Sequence, residues 1–150
     1  MTVQTSTGLI MAVSAGEPAT VDASGFGALT YTTVGEVTDV PEYGPTTDVV
    51  NHQPLATGIT EKYKGFTDYG STSVGLGYDS SDAGQTILKT ASTPGSGTFN
   101  TNHSFRATYS DGSIDYFFGQ VFSYTKAPGG ANSIVASTAN IEINSVIVEA

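Results

Sequence analysis

Alternation of apolar and polar residues with period two, broken by tight turns, is the feature that most restricts the fold of this 150-residue chain. Residues 102–110 alternate in this way, and residues 114–124 return with apolar side chains in both phases. Between them stands Asp111-Gly112, a dipeptide that accepts the positive φ angles of a type I′ turn. We therefore predict an antiparallel hairpin, whose second strand lies inside a sheet or between two layers because both of its faces are apolar.

Further strands are predicted wherever β-branched and aromatic residues run between turn residues, at 29–40, 61–66, 71–78 and 141–148. Within 71–78, Val74 and Leu76 share one face, while the other face carries only serine and glycine. The phase of the alternation changes at 144–145, which predicts a β-bulge or a strand that switches sheets.

A helical pattern occurs once, at residues 82–92. Asp82 can cap the helix, Gln85 stands three residues on, and Ile87, Leu88 and Ala91 form one apolar face.

Two segments lack a sustained period. Residues 1–28 are small and rich in glycine, serine and threonine, which predicts an arm or extended segment. Residues 41–59 contain prolines and glycines and are interpreted as a long loop or hairpin. The chain 1–150 is thus predicted to be one all-β domain: a β-sandwich or flattened barrel of about seven strands with a single α-helix near residues 82–92.

Composition excludes several kinds of site. The chain has no cysteine, so a disulfide framework, a thiolate metal site and a cysteine nucleophile are excluded. Its net charge of −9 disfavours a protein that grips DNA, because an acidic surface repels phosphates. No run approaches the roughly 20 apolar residues of a membrane span, and no basic segment precedes an apolar run at the start. We expect no membrane insertion by this chain.

No catalytic, cofactor-binding or metal-binding residue is predicted. His52 and His103 have no acidic residue or second histidine at metal-ligand spacing. No Gly-x-Ser-x-Gly element is present, and nothing in the sequence singles out two of the scattered carboxylates as an acid and base pair. An enzyme is therefore the least favoured class. The apolar residues of the 41–59 segment favour a partner surface instead.

Several motifs follow one another in a familiar order. Lys64-Gly65-Phe66 ends a strand, Tyr69–Tyr78 follows a turn, and Asp82-Ala83-Gly84-Gln85 opens the helix. The Asp111-Gly112 hairpin and the closing segment at 140–149 complete the series. Over roughly the C-terminal two-thirds, this succession resembles the tail tube (major tail) protein of long-tailed bacteriophages, which gene transfer agents also use.

The resemblance implies a structural virion protein that forms hexameric rings, stacked into a hollow tube through which DNA passes without specific binding. Its partners would be itself and the tail-tip initiator and tail terminator proteins. The protein would reside in the virion tail after assembly in the host bacterial cytoplasm. A wall of net negative charge would keep DNA from adhering while it slides.

Within that frame, the arm at residues 1–20 and the loop Tyr43–Leu55 would make the contacts between rings. The candidate contact residues of the loop are Tyr43, Val49, Val50 and Leu55. Candidate lumen charges are Asp111, Asp115 and Glu142. Deletion of residues 43–55 is expected to leave a folded monomer that no longer polymerises. The alternative is a β-sandwich binding module of the carbohydrate or adhesin type, although such modules often use tryptophan and the chain has none.

Overall fold

The computed structural model describes residues 3–150. Within them lie ten strands and two helices, in this order along the chain: β1 (Ile10–Ala15), α1 (Ala23–Gly27), β2 (Thr32–Val34), β3 (Val37–Asp39), β4 (Thr46–His52), β5 (Glu61–Asp68), β6 (Ser71–Gly77), α2 (Ala83–Ser92), β7 (His103–Thr108), β8 (Ile114–Ala127), β9 (Ala136–Ile143) and β10 (Val148–Glu149).

Most strands form one antiparallel sheet in the order β2-β1-β7-β8-β9-β6-β3, with β10 paired to β8. The two edge strands, β2 and β3, are consecutive in the chain and separated only by Gly35 and Glu36. Glu36 adopts a φ of 60°, which breaks the strand predicted at 29–40 into two. Because so short a link joins the two edges, the sheet curls and brings its ends close together, and we call this curled sheet the barrel. The predicted all-β class is confirmed.

The interior is filled by the inward-facing side chains of the strands and by the side chains on one face of α2. Phe105 and Phe117 stack with their ring centroids 5.4 Å apart. The buried residues around them are Met11, Val13, Val34, Val74, Leu76, Leu88, Ala91, Ala107, Val121, Ala139, Ile141 and Ile143. The predicted alternation of 71–78 is therefore correct, and Ser73 lies exposed on the opposite face.

Within the segment 1–28, predicted as an arm or extended segment, Ile10–Ala15 is extended but is a strand of the main sheet, and Ala23–Gly27 is helical. Strand β1 lies inside the sheet between β2 and β7, and Met11, Ala12 and Val13 are buried. No alternation marks this strand because residues of both phases are buried. Residues 1–2 lie outside the described residues, so the prediction is not tested there.

The prediction of a single helix is wrong, because the five-residue α1 precedes β2. Asp22 caps it by accepting a hydrogen bond from the Gly25 backbone N–H, at 2.6 Å. Phe26 is fully buried and stacks on Tyr116 at 5.4 Å between centroids. A helix of little more than one turn is too short to show a helical period in the sequence.

The phase change at 144–145 marks an interruption in the pairing of the last part of the chain with β8. Strand β9 ends at Ile143, and the Asn144 N–H and the Ser145 hydroxyl then bond to the backbone of Phe118. The chain returns as β10 and pairs with β8 at Tyr116. Since β9 and β10 both pair with β8, the chain does not switch sheets.

Helix α2 is fixed to the link between the edge strands. The Asp82 carboxylate caps the helix at the Gln85 N–H (2.9 Å) and also accepts from the Gly35 N–H (3.1 Å). The buried Gln85 side chain donates to the carbonyls of Gly35 (3.0 Å) and Gly77 (2.8 Å). Its oxygen accepts from the Asp79 N–H and the Tyr124 hydroxyl. One side chain thus joins the helix, the link and two strands.

Replacing Gln85 with leucine is expected to lower the free energy of unfolding by about 2–4 kcal/mol, because a buried polar group left without a partner costs roughly 1–3 kcal/mol. Thr90→Leu, which places the same side chain on an exposed site of α2, is the matched control and should change stability little. Denaturant unfolding measures both variants. Equal midpoints for the two would contradict a stabilising role for the Gln85 hydrogen bonds.

His103 gives stability a dependence on pH. The imidazole is buried in β7, its Nδ1 atom has no hydrogen-bond partner, and burial lowers its pKa below the ordinary value of 6.5. The unfolded chain therefore takes up a proton as the pH falls through about 6.5 while the folded chain does not, and stability falls.

We expect the free energy of unfolding to decrease from pH 7 to pH 5.5, by at most about 1.4 kcal/mol per pH unit for one proton. His103→Gln should flatten this dependence, whereas His52→Gln, which removes an exposed imidazole, should leave it in place. Denaturant melts across this pH range are the measurement. An unchanged slope in His103→Gln would contradict the assignment.

Candidate functional site

Strands β4 and β5 form a hairpin, residues 46–68, that is a sheet of its own. The pairing runs from Thr46 opposite Asp68 to His52 opposite Glu61, which leaves residues 53–60 as the tip. Nearly every residue of both strands is exposed, on both faces. The segment 41–59, interpreted as a long loop or hairpin, therefore supplies β4 and most of the tip of an exposed hairpin, and the strand predicted at 61–66 lies within its second strand.

Exposed apolar side chains are concentrated on this hairpin. Leu55 at the tip is 99% exposed and Phe66 near the base is 90% exposed. Four others are more than half exposed: Val49, Val50, Ile59 and Tyr63. A two-stranded sheet is marginally stable in water without a surface to cover it, and apolar patches of this kind mark contact sites. The hairpin has the properties of an unpaired interface.

A bulge at Gly65 and Phe66 sets which side chains share a face. Opposite the single residue Asp48, the β5 strand has these two residues. Glycine fits closely at 65, because a Cβ there would lie 3.1 Å from the Val50 Cγ2 atom and 3.4 Å from the Asp48 carbonyl, and Val50 would have to shift to admit it. The bulge restores the pairing at the base, where the Thr47 and Thr67 hydroxyls are 2.9 Å apart.

The two faces of the hairpin carry opposite charge. What we call the basic face holds Thr47, Val49, Asn51, Lys62 and Lys64. The acidic face holds Asp48, Val50, His52, Glu61 and Tyr63, as the pairing register and the alternation of side chains require. A 3.4 Å contact from the Tyr63 hydroxyl to the Glu61 carboxylate confirms that these two residues share a face.

Tyr43 anchors the base of the hairpin to the barrel interior. Its ring packs on Phe117 at 5.6 Å between centroids. Its hydroxyl donates to the Asp115 carboxylate at 2.6 Å, and the Tyr109 hydroxyl donates to the same oxygen at 2.8 Å. Burial and the hydrogen bond to Asp115 raise the pKa of Tyr43. Tyr43 thus stays neutral and lies apart from the exposed Val49, Val50 and Leu55.

The three predicted lumen carboxylates are not brought together. Asp111 lies in the exposed turn between β7 and β8, where it accepts from the Ser113 hydroxyl and N–H. Asp115 is half-buried between the two tyrosines. Glu142 lies on the outward side of β9 and accepts from the Asn140 amide at 3.2 Å.

Polar side chains dominate the outward side of β6, β9 and the adjoining part of β8, where Phe122 is the exposed apolar exception. We call it the small-residue face, and it comprises Ser71, Ser73, Gln120, Thr138, Asn140 and Glu142. Glu142 is the one charged residue among them. Ser73 donates to Asn140 at 3.3 Å, so the polar side chains are bonded along the sheet.

Among residues 3–150, no group of three or more histidine, aspartate or glutamate side chains is placed to hold a metal ion. None of the helices in the same range has the length and apolar character needed to cross a membrane.

Comparison by sequence finds no matching family model and no matching curated protein. Comparison by structure finds the tail of an empty gene transfer agent particle of C6 symmetry, with a TM-score of 0.67 at 13% identity over 99% of each chain. The anti-feeding prophage baseplate aligns with a TM-score of 0.66 at 7% identity, over 100% of this chain and 97% of the other. The SPP1 tail tube aligns at 0.62 and 11% identity, over 94% and 75%.

The chain has a tail tube fold. The resemblance drawn from the motifs is confirmed at the level of the fold, and so is the all-β class with a minor helical part.

Within the tail tube fold, the exposed hairpin covers residues 46–68 and so continues beyond the segment 41–59 that the sequence indicated. Val49, Val50 and Leu55 were identified from the sequence, but Ile59, Tyr63 and Phe66 were missed as exposed residues. The signal in residues 61–66 is the sequence EKYKGF, which places lysines beside aromatic residues with no core-facing aliphatic side chain.

Proposed function

We propose that this protein is the subunit of a tail tube: a structural virion protein whose hexameric rings stack into a hollow conduit for DNA. The observation that carries the proposal is the exposed hairpin on a tail tube fold, because its apolar residues have no cover within the described chain. Support for six subunits in a ring comes from the C6 symmetry of the gene transfer agent tail. No catalytic role is proposed.

We assign the contacts between rings to the hairpin. Val49, Val50 and Leu55 remain in this role, and Ile59, Tyr63 and Phe66 join them. Burying a valine, leucine or aromatic side chain contributes about 1.5–3 kcal/mol, so a few such residues per copy are enough to drive association. Tyr43 contributes to the same interface indirectly, because it holds the base of the hairpin against the barrel.

We assign the bore of the tube to the small-residue face. Short hydroxyl and amide side chains leave few groups that bind a passing phosphate backbone, and Glu142 adds negative charge that repels it. Asp111 and Asp115 stay in the proposal as weaker sources of the same field. DNA would pass without specific contacts.

The proposed partners are further copies of this chain, an initiator at the tail tip and a terminator at the other end. Two similar structures are named as a tube-terminating cap of the anti-feeding prophage and a sheath/tube terminator of a contractile injection system. The proposed location is the virion tail, after assembly in the host bacterial cytoplasm.

Negative-stain electron microscopy of the purified protein over a concentration series, with native mass spectrometry, tests the function. Rings or hollow tubes of uniform diameter with six-fold symmetry are expected. A monomer at every concentration, also after addition of tail-tip components, would overturn the proposal. Saturable binding of a soluble glycan by that monomer would then favour the binding module.

A further inference from the structure

Charge on the hairpin is segregated more sharply than on the rest of the chain. The whole protein has only five lysine and arginine residues against fourteen acidic ones. Two of the five, Lys62 and Lys64, lie side by side on the basic face, and both are exposed. Asp48 and Glu61 lie on the opposite face of the same two strands and are exposed as well.

We propose that the hairpins of neighbouring copies pack face to face, the basic face of one copy on the acidic face of the next. This inference rests on the proposed function and specifies which two surfaces of neighbouring subunits meet. The occupant of each face is thus a second copy of this chain. The contact joins two different surfaces, so it can be repeated from one ring to the next along the tube without closing on itself.

Packing the basic face of one copy on the acidic face of another is complementary in both charge and apolar surface. Two sheets pack with about 10 Å between them, a distance that interdigitating side chains fill. Lys62 and Lys64 would then meet Asp48 and Glu61, while Val49 meets Val50 and Tyr63 of the other copy. Packing two basic faces, or two acidic faces, would bring like charges together and is disfavoured.

Nucleic acid is a poorer occupant of the basic face than a second copy of this chain. A nucleic acid would meet only two lysines, on a hairpin whose opposite face carries Asp48 and Glu61 and on a protein of net charge −9. Because neutralised phosphates supply most of nonspecific DNA affinity, such a surface binds DNA poorly.

Charge reversal tests the pairing. In Lys62→Glu/Lys64→Glu both faces become acidic, and in Asp48→Lys/Glu61→Lys both become basic. Each double variant is expected to lose ring and tube formation by at least tenfold in critical concentration. The quadruple variant, which exchanges the charges of the two faces, should assemble again, and so should an equimolar mixture of the two double variants. Circular dichroism verifies that every variant is folded.

The outcomes separate this inference from the proposed function. Tubes from wild type and from both double variants would overturn the face pairing and leave the tube proposal intact. Failure of the quadruple variant and of the mixture, with folded protein, would also overturn it. Loss of DNA binding in Lys62→Glu/Lys64→Glu with unchanged assembly would assign the basic face to DNA. Failure of wild type to assemble at all would overturn both.

Cross-linking provides a geometric readout, because the chain has no cysteine of its own. Asn51→Cys labels the basic face and His52→Cys labels the acidic face. A bismaleimide with a span of about 10 Å is expected to join one variant to the other in a mixture. Each variant alone should give no dimer. Equal cross-linking within each single variant would overturn the proposed pairing of unlike faces.

Discussion

Replacing residues 47–67 with an Asn-Gly turn is expected to yield a folded monomer that forms no tubes at any concentration. The barrel should survive, because β4 and β5 pair only with each other and contribute no strand to the main sheet. Thr46 and Asp68 are opposite each other in the register, so a two-residue turn can join them. The loss of assembly follows from removing the exposed apolar residues of the hairpin together.

Sedimentation velocity and negative-stain microscopy measure the loss of assembly, and thermal melting followed by circular dichroism measures the fold. The matched control keeps the hairpin and exchanges only its tip, residues 54–58, for glycine and serine. This control should still associate through the strand faces, although more weakly because Leu55 is gone. Tubes of unchanged geometry from the shortened chain would show that the hairpin is not the stacking element.

The structure also changes which deletion is informative. Removing residues 43–55, as the sequence suggested, would delete Tyr43 and its contacts with Phe117 and Asp115. It would also leave β5 without its partner strand. A monomer obtained from that deletion could result from damage to the barrel, whereas removal of 47–67 leaves the barrel contacts in place.

The parts of the fold that the sequence predicted are those with a local signature. The hairpin at Asp111-Gly112, the alternation of β6 and the capped α2 each follow from a few neighbouring residues. The type I′ turn predicted for that hairpin is wrong, because Gly112 has a positive φ of 92° but Asp111 does not. Gln85 illustrates the limit of such signatures. Its place three residues after Asp82 indicated a capping partner, but its side chain instead bonds to Gly35, Gly77 and Tyr124. Long-range partners leave no local pattern.

The strands that the sequence did not predict are those whose two faces are both buried or both exposed. Strand β1 is buried on both sides, so it shows no alternation, and the sequence predicted an arm or extended segment there. Strand β4 is exposed on both sides, so its segment was predicted as a long loop or hairpin, whereas a strand was predicted at 61–66, within β5. Period-two patterns report a difference between two faces. Where the two faces do not differ in burial, the pattern is lost.

The substitution Gly119→Ala is expected to prevent folding or to lower the free energy of unfolding by more than about 4 kcal/mol, the range in which mutational effects become exceptional. Gly119 lies in β8 between β7 and β9, opposite His103 and Ile143. A Cβ atom there would stand 2.1 Å from the Glu142 carbonyl oxygen and 3.1 Å from the Ile143 Cα. Both contacts are with backbone, which no side-chain rotation relieves.

Relief of this clash requires β8 and β9 to separate at the centre of the sheet, where Phe117, Val121 and Ile141 are buried. Gly130→Ala is the matched control, since a Cβ at that position meets no atom within 4 Å. Soluble yield, circular dichroism and denaturant unfolding distinguish the two variants. Wild-type stability in Gly119→Ala would mean that β8 and β9 are not held this closely. Because β8 also pairs with β7 and β10, loss of this one contact propagates across the barrel and removes the scaffold on which Tyr43 holds the hairpin.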